Sequence, residues 1–211
     1  MFERRHRRRE QELAKQEDFR TARRFMRQEI VALGEDLAEL RVGVAGADAG
    51  HEVQHHCEQA IAYHDKAKHL VAVSTTTEEV IAVEQVLIDA RWHHASVRAL
   101  CDGEQVPQPG TPCYFDARHG PSTTSVAWSP QAGAELTVAV CAADARRLTS
   151  GEAPETRMVR VEDRYMPWHE IGDLAGLLRH ARELRGAASL NTGHHSHLTS
   201  HPSFDGAEGL S

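Results

Sequence analysis

The sequence predicts a mainly α-helical chain, a coiled-coil-like three-helix bundle followed by a small α+β module. Three observations carry that reading. Long Arg/Glu/Gln/Leu/Ala-rich stretches repeat apolar residues at 3–4 spacing, the signature of helices that share a seam. A run of Pro and Gly between residues 102 and 112 then forbids regular structure. Beyond it the pattern changes to short β-branched runs separated by turn residues. The resulting division is 1–101 for the bundle, 102–112 for a linker, 113–186 for the α+β module and 187–211 for a His-rich tail. Hydrophobic residues make up 40% of the chain, enough for an aliphatic core, but only 5% are aromatic, too few for a large β-sandwich.

The first helix is expected over 2–41, a stretch without proline. Phe19, Met26, Leu33 and Leu40 recur seven apart, with Ile30 and Leu37 between them. Before Phe19 the stripe is poor, so the first turns should project into solvent. The second helix is expected over 51–72, with Val53, Cys57, Ala60, His64, Ala67 and Val71 on its seam. Thr76 and Glu79 form a capping box that starts a third helix ending near residue 101. Its seam holds Val80, Val83, Leu87, Ala90, His94, Val97 and Cys101. The short connection makes helices two and three an antiparallel hairpin, with the first helix packed along it.

In the second module, 125–128 and 136–140 read as paired strands around Pro130 and Gly133. A short helix over 142–148, a strand over 158–161 and an amphipathic helix over 174–184 follow. From about Ala187, Ser, Thr, His and Gly dominate, and disorder is expected.

Composition also bounds function. Residues 1–27 hold ten Lys/Arg against five Asp/Glu, while the whole chain carries −7. A basic start on an acidic body argues against general DNA binding. Arg4, Arg5, Arg7, Arg8 and Arg9 could meet an anionic membrane surface or a nucleic acid. No apolar run is long enough to span a bilayer, and no signal peptide is evident. Four unevenly spaced cysteines suit a reducing compartment, so the expected location is cytoplasmic, with membrane association through the basic run as a variant. Phosphate-loop, dinucleotide, nucleophile-elbow and His-Glu-x2-His motifs are missing, and the expectation is a protein without catalytic activity. The stripe of Phe19, Met26, Ile30, Leu33 and Leu37 is the expected surface for a protein partner or for self-association.

The densest chemistry lies in Cys113-Tyr114-Phe115-Asp116-Ala117-Arg118-His119-Gly120-Pro121, then Val126-Ala127-Trp128, then Val138-Ala139-Val140-Cys141-Ala142-Ala143-Asp144-Ala145. A treble-clef zinc site uses one Cys-x2-Cys pair on a knuckle and a second where a strand meets a helix. Here each pair is half replaced, as Cys113-x2-Asp116 and Cys141-x2-Asp144, with His119 close enough to stand in for Asp116. The candidate ligands for Zn²⁺ are therefore Cys113, Asp116, His119, Cys141 and Asp144, on a degenerate zinc knuckle that either keeps its ion or retains only the shape. Two thiolates would favour zinc over magnesium.

These segments, with Gly151-Glu152-Ala153-Pro154, resemble a family of actinobacterial proteins with no assigned activity. Its members carry a helical region, a Cys-Phe-Phe-Asp-Pro-x-His-Gly-Pro segment, a Val-x-Trp strand and a Val-Cys-Ala-Ala-Asp-Ala segment. The likeness covers roughly residues 75–168, and Ala117 departs from it where proline is usual. It implies the architecture and supplies no function.

Fifteen histidines are many for this length. The hairpin should bring His55, His56 and Cys57 near His93 and His94, where facing imidazoles could hold a transition metal. The simpler expectation is that His64 and His94 fill seam positions and the others are solvated. His194, His195, His197 and His201 form a tail cluster able to bind metal weakly.

Overall fold

The computed structural model describes residues 2–44, 50–130 and 133–194. It is mainly helical, with two small antiparallel sheets in its C-terminal part.

Helix α1 (Phe2–Val44) is a single 43-residue rod. Residues 3–16 are all exposed, so the start of the helix stands clear of the bundle as its poor stripe implied. From Asp18 to Leu37 every turn of α1 buries side chains, and the helix packs along α2 (His51–Val73) and α3 (Thr77–Cys101). The capping box forms as expected. Glu79 N–H donates to Thr76 Oγ1 at 3.2 Å, and Glu79 Oε2 accepts from the N–H groups of Thr75 and Thr76 at 2.7 and 3.2 Å.

The shared core contains Ala22, Phe25, Met26, Ile30, Leu33 and Leu37 of α1 with Ala60, Ala67, Val71, Val80, Val83, Leu87 and Ala90 of the hairpin. Phe19 packs against its edge. The stripe read as a partner surface is thus spent inside the chain. Met26 and Leu33 are each 1% exposed, and a partner of α1 would have to meet other residues. The same heptad spacing serves an intramolecular and an intermolecular seam, which is why the sequence did not separate them.

Residues 102–112 run without regular structure, as the prolines require. They are pinned to α3 by Trp92, whose Nε1–H donates to the Pro107 carbonyl at 2.7 Å. After them come a 3₁₀ turn (Ala117–His119), β1 (Thr124–Trp128), β2 (Leu136–Val140) and α4 (Ala142–Thr149). β1 and β2 pair antiparallel, Thr124 opposite Val140 and Trp128 opposite Leu136. Cys113, Phe115, Val138, Val140 and Cys141 make a small core of their own.

The last part departs from the expected division. β3 (Met158–Val161) has a partner the sequence reading missed, β4 (Arg164–Pro167), joined by a two-residue turn with Glu162 at φ 54°. A short helix α5 (Trp168–Ile171) leads into α6 (Leu174–His194). Gly176 is needed in the first turn of α6, because a Cβ there would run into the Ile171 carbonyl. Val159, Val161, Trp168, Ile171, Leu174, Leu177, Leu178 and Ala181 belong to the same core as α1–α3. Residues 158–181 therefore complete the bundle, and 113–149 forms a knuckle with a small core of its own that meets the bundle core at Ala117. Salt bridges tie α6 to α1, with Arg182 and Arg185 each 2.7 Å from Asp18. The helix also outruns the expected start of the disordered tail, continuing to His194. Of the tail cluster, His195, His197 and His201 lie outside the described residues.

Candidate metal centre

The knuckle brings four donors to one point. The chain before the 3₁₀ turn folds back through a bridge between Pro112 and Pro121, and Cys113 N–H donates to the Gly120 carbonyl at 3.0 Å. Gly120 makes this return possible at φ 86°, where a side chain would be strained. The turn ends on His119. On the other side β2 ends at Cys141, which serves as N-cap of α4, its sulfur accepting Asp144 N–H at 3.5 Å. Asp144, in the first turn of α4, is fully buried.

Cys113 Sγ, His119, Cys141 Sγ and Asp144 present donor atoms all within 4.8 Å of one another and could hold a metal ion. Asp144 Oδ2 is the centre of the group. It lies 3.3 Å from Cys113 Sγ, 3.0 Å from His119 Nδ1 and 3.5 Å from Cys141 Sγ. Cys141 Sγ to His119 Nδ1 is 3.9 Å. Around a tetrahedral zinc with ordinary Zn–S, Zn–N and Zn–O bonds, donor pairs sit about 3.3–3.8 Å apart. These four separations, 3.0–3.9 Å, straddle that range, and the donor set of two sulfurs, one imidazole and one carboxylate is one zinc accepts.

The surroundings orient these donors. Asp144 Oδ1 is turned away and satisfied by Glu155 N–H at 2.9 Å and Arg147 Nη1 at 3.3 Å, leaving Oδ2 to the cluster. Asp116 is not a donor to the cluster, contrary to its place among the candidate ligands. Its Oδ1 accepts Arg118 N–H at 2.9 Å and so starts the 3₁₀ turn. Its Oδ2 lies 4.0 Å from His119 Nε2, behind the ring, where carboxylates commonly orient metal-binding histidines. Spacing placed Asp116 within reach, but the turn it caps points it outward from the sulfurs.

The charges are correspondingly shifted. The Cys113 thiol beside it, aided by His119, pulls Cys141 down to about 5 against the effect of burial. Cys113 moves up, because its hydrogen bond to Cys141 and its burial both favour the neutral thiol. Cys141, with Asp116 and Asp144, lifts His119 to about 9 despite burial. Asp144 falls below the usual carboxylate value. Burial opposes this, and the Glu155 N–H, Cys113 and His119 outweigh it.

A second polar cluster joins the knuckle to the bundle, and sequence reasoning missed it. Glu29 on α1 is 97% buried and meets three guanidinium groups. Arg91 Nη2 of α3 donates to Oε2 at 2.8 Å, Arg118 Nη2 to Oε1 at 2.8 Å, and Arg157 Nη2 to Oε1 at 2.5 Å. Burial alone would raise the Glu29 pKa, but Arg118, Arg91 and Arg157 together hold it at about 2. One signal was available: Glu29 sits between Met26 and Ile30 on the apolar stripe, where a charge must find partners.

Among the described residues no helix is long and apolar enough to cross a membrane. No family model, no curated protein and no solved structure matches this chain.

Proposed function

We propose that the chain is a non-enzymatic interaction protein whose knuckle is held by one structural Zn²⁺ on Cys113, His119, Cys141 and Asp144. The observation that carries this reading is the closed four-donor cluster. Four ligands fill a tetrahedral zinc and leave no position for substrate, as in structural rather than catalytic sites. Three of the four donors are buried and the fourth, His119, is half-buried. A cavity beside the knuckle, lined by Arg91, Trp92 and Gly120 among others, has a volume of about 10 Å³, room for one water and for no organic substrate. The likeness to the actinobacterial family rests on its motif residues.

Elemental analysis tests the reading on the full chain, made without a histidine tag or added metal. One zinc per chain is expected, lost in Cys113→Ser and kept in Asp116→Asn, since Asp116 stands behind the ring. Cobalt substitution should give thiolate-to-metal charge-transfer bands. A zinc-free protein that also fails to take up cobalt would end the proposal.

The exposed start of α1 supports a second, compatible role. Arg4, Arg5, Arg7, Arg8 and Arg9 lie on an arm of about 21 Å that packs on nothing in the bundle. This arm is the surface we assign to an anionic partner, a membrane or a nucleic acid. Salt-sensitive binding to anionic vesicles or to RNA is expected. Undiminished binding after all five arginines are changed to Gln would remove the arm from consideration.

A further inference from the structure

The open end of the α2–α3 hairpin holds a second cluster of nitrogen donors, separate from the knuckle. His56 of α2 and His93 of α3 are both buried, against the expectation that they are solvated, and their Nδ1 atoms face each other at 2.8 Å. One ring donates and the other accepts, so a single proton lies between two uncharged rings. Burial, with the neighbouring imidazoles, pushes both downward, His93 to about 4. Rings wall the pair in. Trp92 stands edge-on to His56 at 5.3 Å, and Tyr63 stacks on His93 at 5.5 Å. The exposed His55 stands beside the pair, with its ring 5.5 Å from that of His56 and 6.4 Å from that of His93. Two carboxylates lie one helical turn away, Glu52 before His56 and Asp89 before His93. Because the helices are antiparallel, these acids flank the pair from opposite sides, and each favours positive charge on its imidazole.

We propose that the facing His56 and His93 form a two-imidazole site for a Ni²⁺- or Cu²⁺-type ion, whose remaining positions water would fill. Two imidazole nitrogens bound at about 2.0–2.1 Å stand about 2.9 Å apart at a right angle, and about 3.3 Å apart at the tetrahedral angle. The separation of 2.8 Å fits the right angle, which belongs to the tetragonal sites of Cu²⁺ and Ni²⁺. Binding needs only that the shared proton move from Nδ1 to Nε2 of the same ring, so that both Nδ1 lone pairs meet the ion. Facing helices supply such sites from inward-pointing side chains in other bundles. His55, open to solvent, gives the ion its way in. The site does not depend on the zinc reading, because none of its residues touches the knuckle donors.

The test is calorimetric titration of the full chain with Ni²⁺. The protein is zinc-loaded, and His194, His195, His197 and His201 are changed to Asn so that tail imidazoles do not compete. One equivalent is expected to bind, with d–d absorption of nitrogen-ligated nickel. His56→Asn and His93→Asn should each weaken binding by about tenfold or more. His55→Ala changes an exposed residue beside the pair and should leave one equivalent bound. Cys113→Ser should leave the nickel isotherm unchanged, which separates this site from the knuckle. Failure to bind Ni²⁺, or an isotherm indifferent to the His56 and His93 changes, would overturn the proposal and leave the pair as a buried hydrogen bond alone.

Discussion

The helical bundle and the knuckle solve the same problem by different means. The bundle buries a continuous aliphatic core that runs from Ala22 to Ala181, drawing on α1, α2, α3, the β3–β4 hairpin and α6. The knuckle's own apolar core has five residues, two of them cysteines. A core that small cannot offset the entropy of ordering some 37 residues, so the segment depends on local chemistry and on what it leans against. The Cys113–His119–Cys141–Asp144 cluster is the local chemistry. Glu29, which meets Arg118 and Arg157 from beyond the linker, is part of the leaning. Periodic burial suffices for a large element, whereas a small one is fixed by a few directional contacts.

Breaking the joint should have the largest effect. Glu29→Gln leaves three buried or half-buried guanidinium groups facing a neutral amide, and removing one member of such a buried network costs about 3–5 kcal/mol. The expected outcome is release of the knuckle from the bundle, seen as faster proteolysis within 102–112 while α2 and α3 keep their slow hydrogen exchange. Uniform loss of protection would mean that the two regions fold as one unit. Leu33→Ala strikes the other side of the comparison. Leu33 is 1% exposed in the bundle core, and its truncation should cost about 2–5 kcal/mol in denaturant melts. Zinc content at low denaturant should be unaffected if the knuckle forms locally.

How much of this was legible follows the same divide. Helices α1–α3 were readable because a seam repeats every three or four residues. Four of the five metal candidates were readable because Cys113, His119, Cys141 and Asp144 reach one point through local spacing in two short segments. Asp116 was misassigned because spacing does not show which way a turn directs a carboxylate. The Glu29 network joins residues 62 to 128 positions apart, and no local pattern encodes such pairs. β4 was missed because its turn is Glu162-Asp163, without the Asn-Gly or Asp-Gly signal, and Glu162 takes the left-handed conformation itself. On α2 the seam was read correctly at Ala60, Ala67 and Val71 but one position off near the start of the helix. His56 is buried while Cys57 is only half-buried, and the histidine pair was therefore read as solvated.

The smallest expected effect sharpens the view that residues 158–194 belong to the bundle. Glu84 of α3 accepts Leu174 N–H at 3.1 Å, so a carboxylate holds the start of α6 onto the helical core. Burial raises Glu84 to about 7, aided by Asp173 and Glu29 and opposed by the Leu174 N–H and Arg91. The folded state thus binds this proton more tightly than the unfolded chain. The resulting stability is fully present below the unfolded value near 4.5 and is lost as pH rises through 7. Glu84→Gln keeps an acceptor for Leu174 and removes the titration. It should match the parent near pH 4.5 and exceed it by about 1–2 kcal/mol at pH 8, with partial solvent screening discounted. Urea melts across that range measure the difference. Parallel curves would show that the Glu84 carboxyl is not held in a dry site.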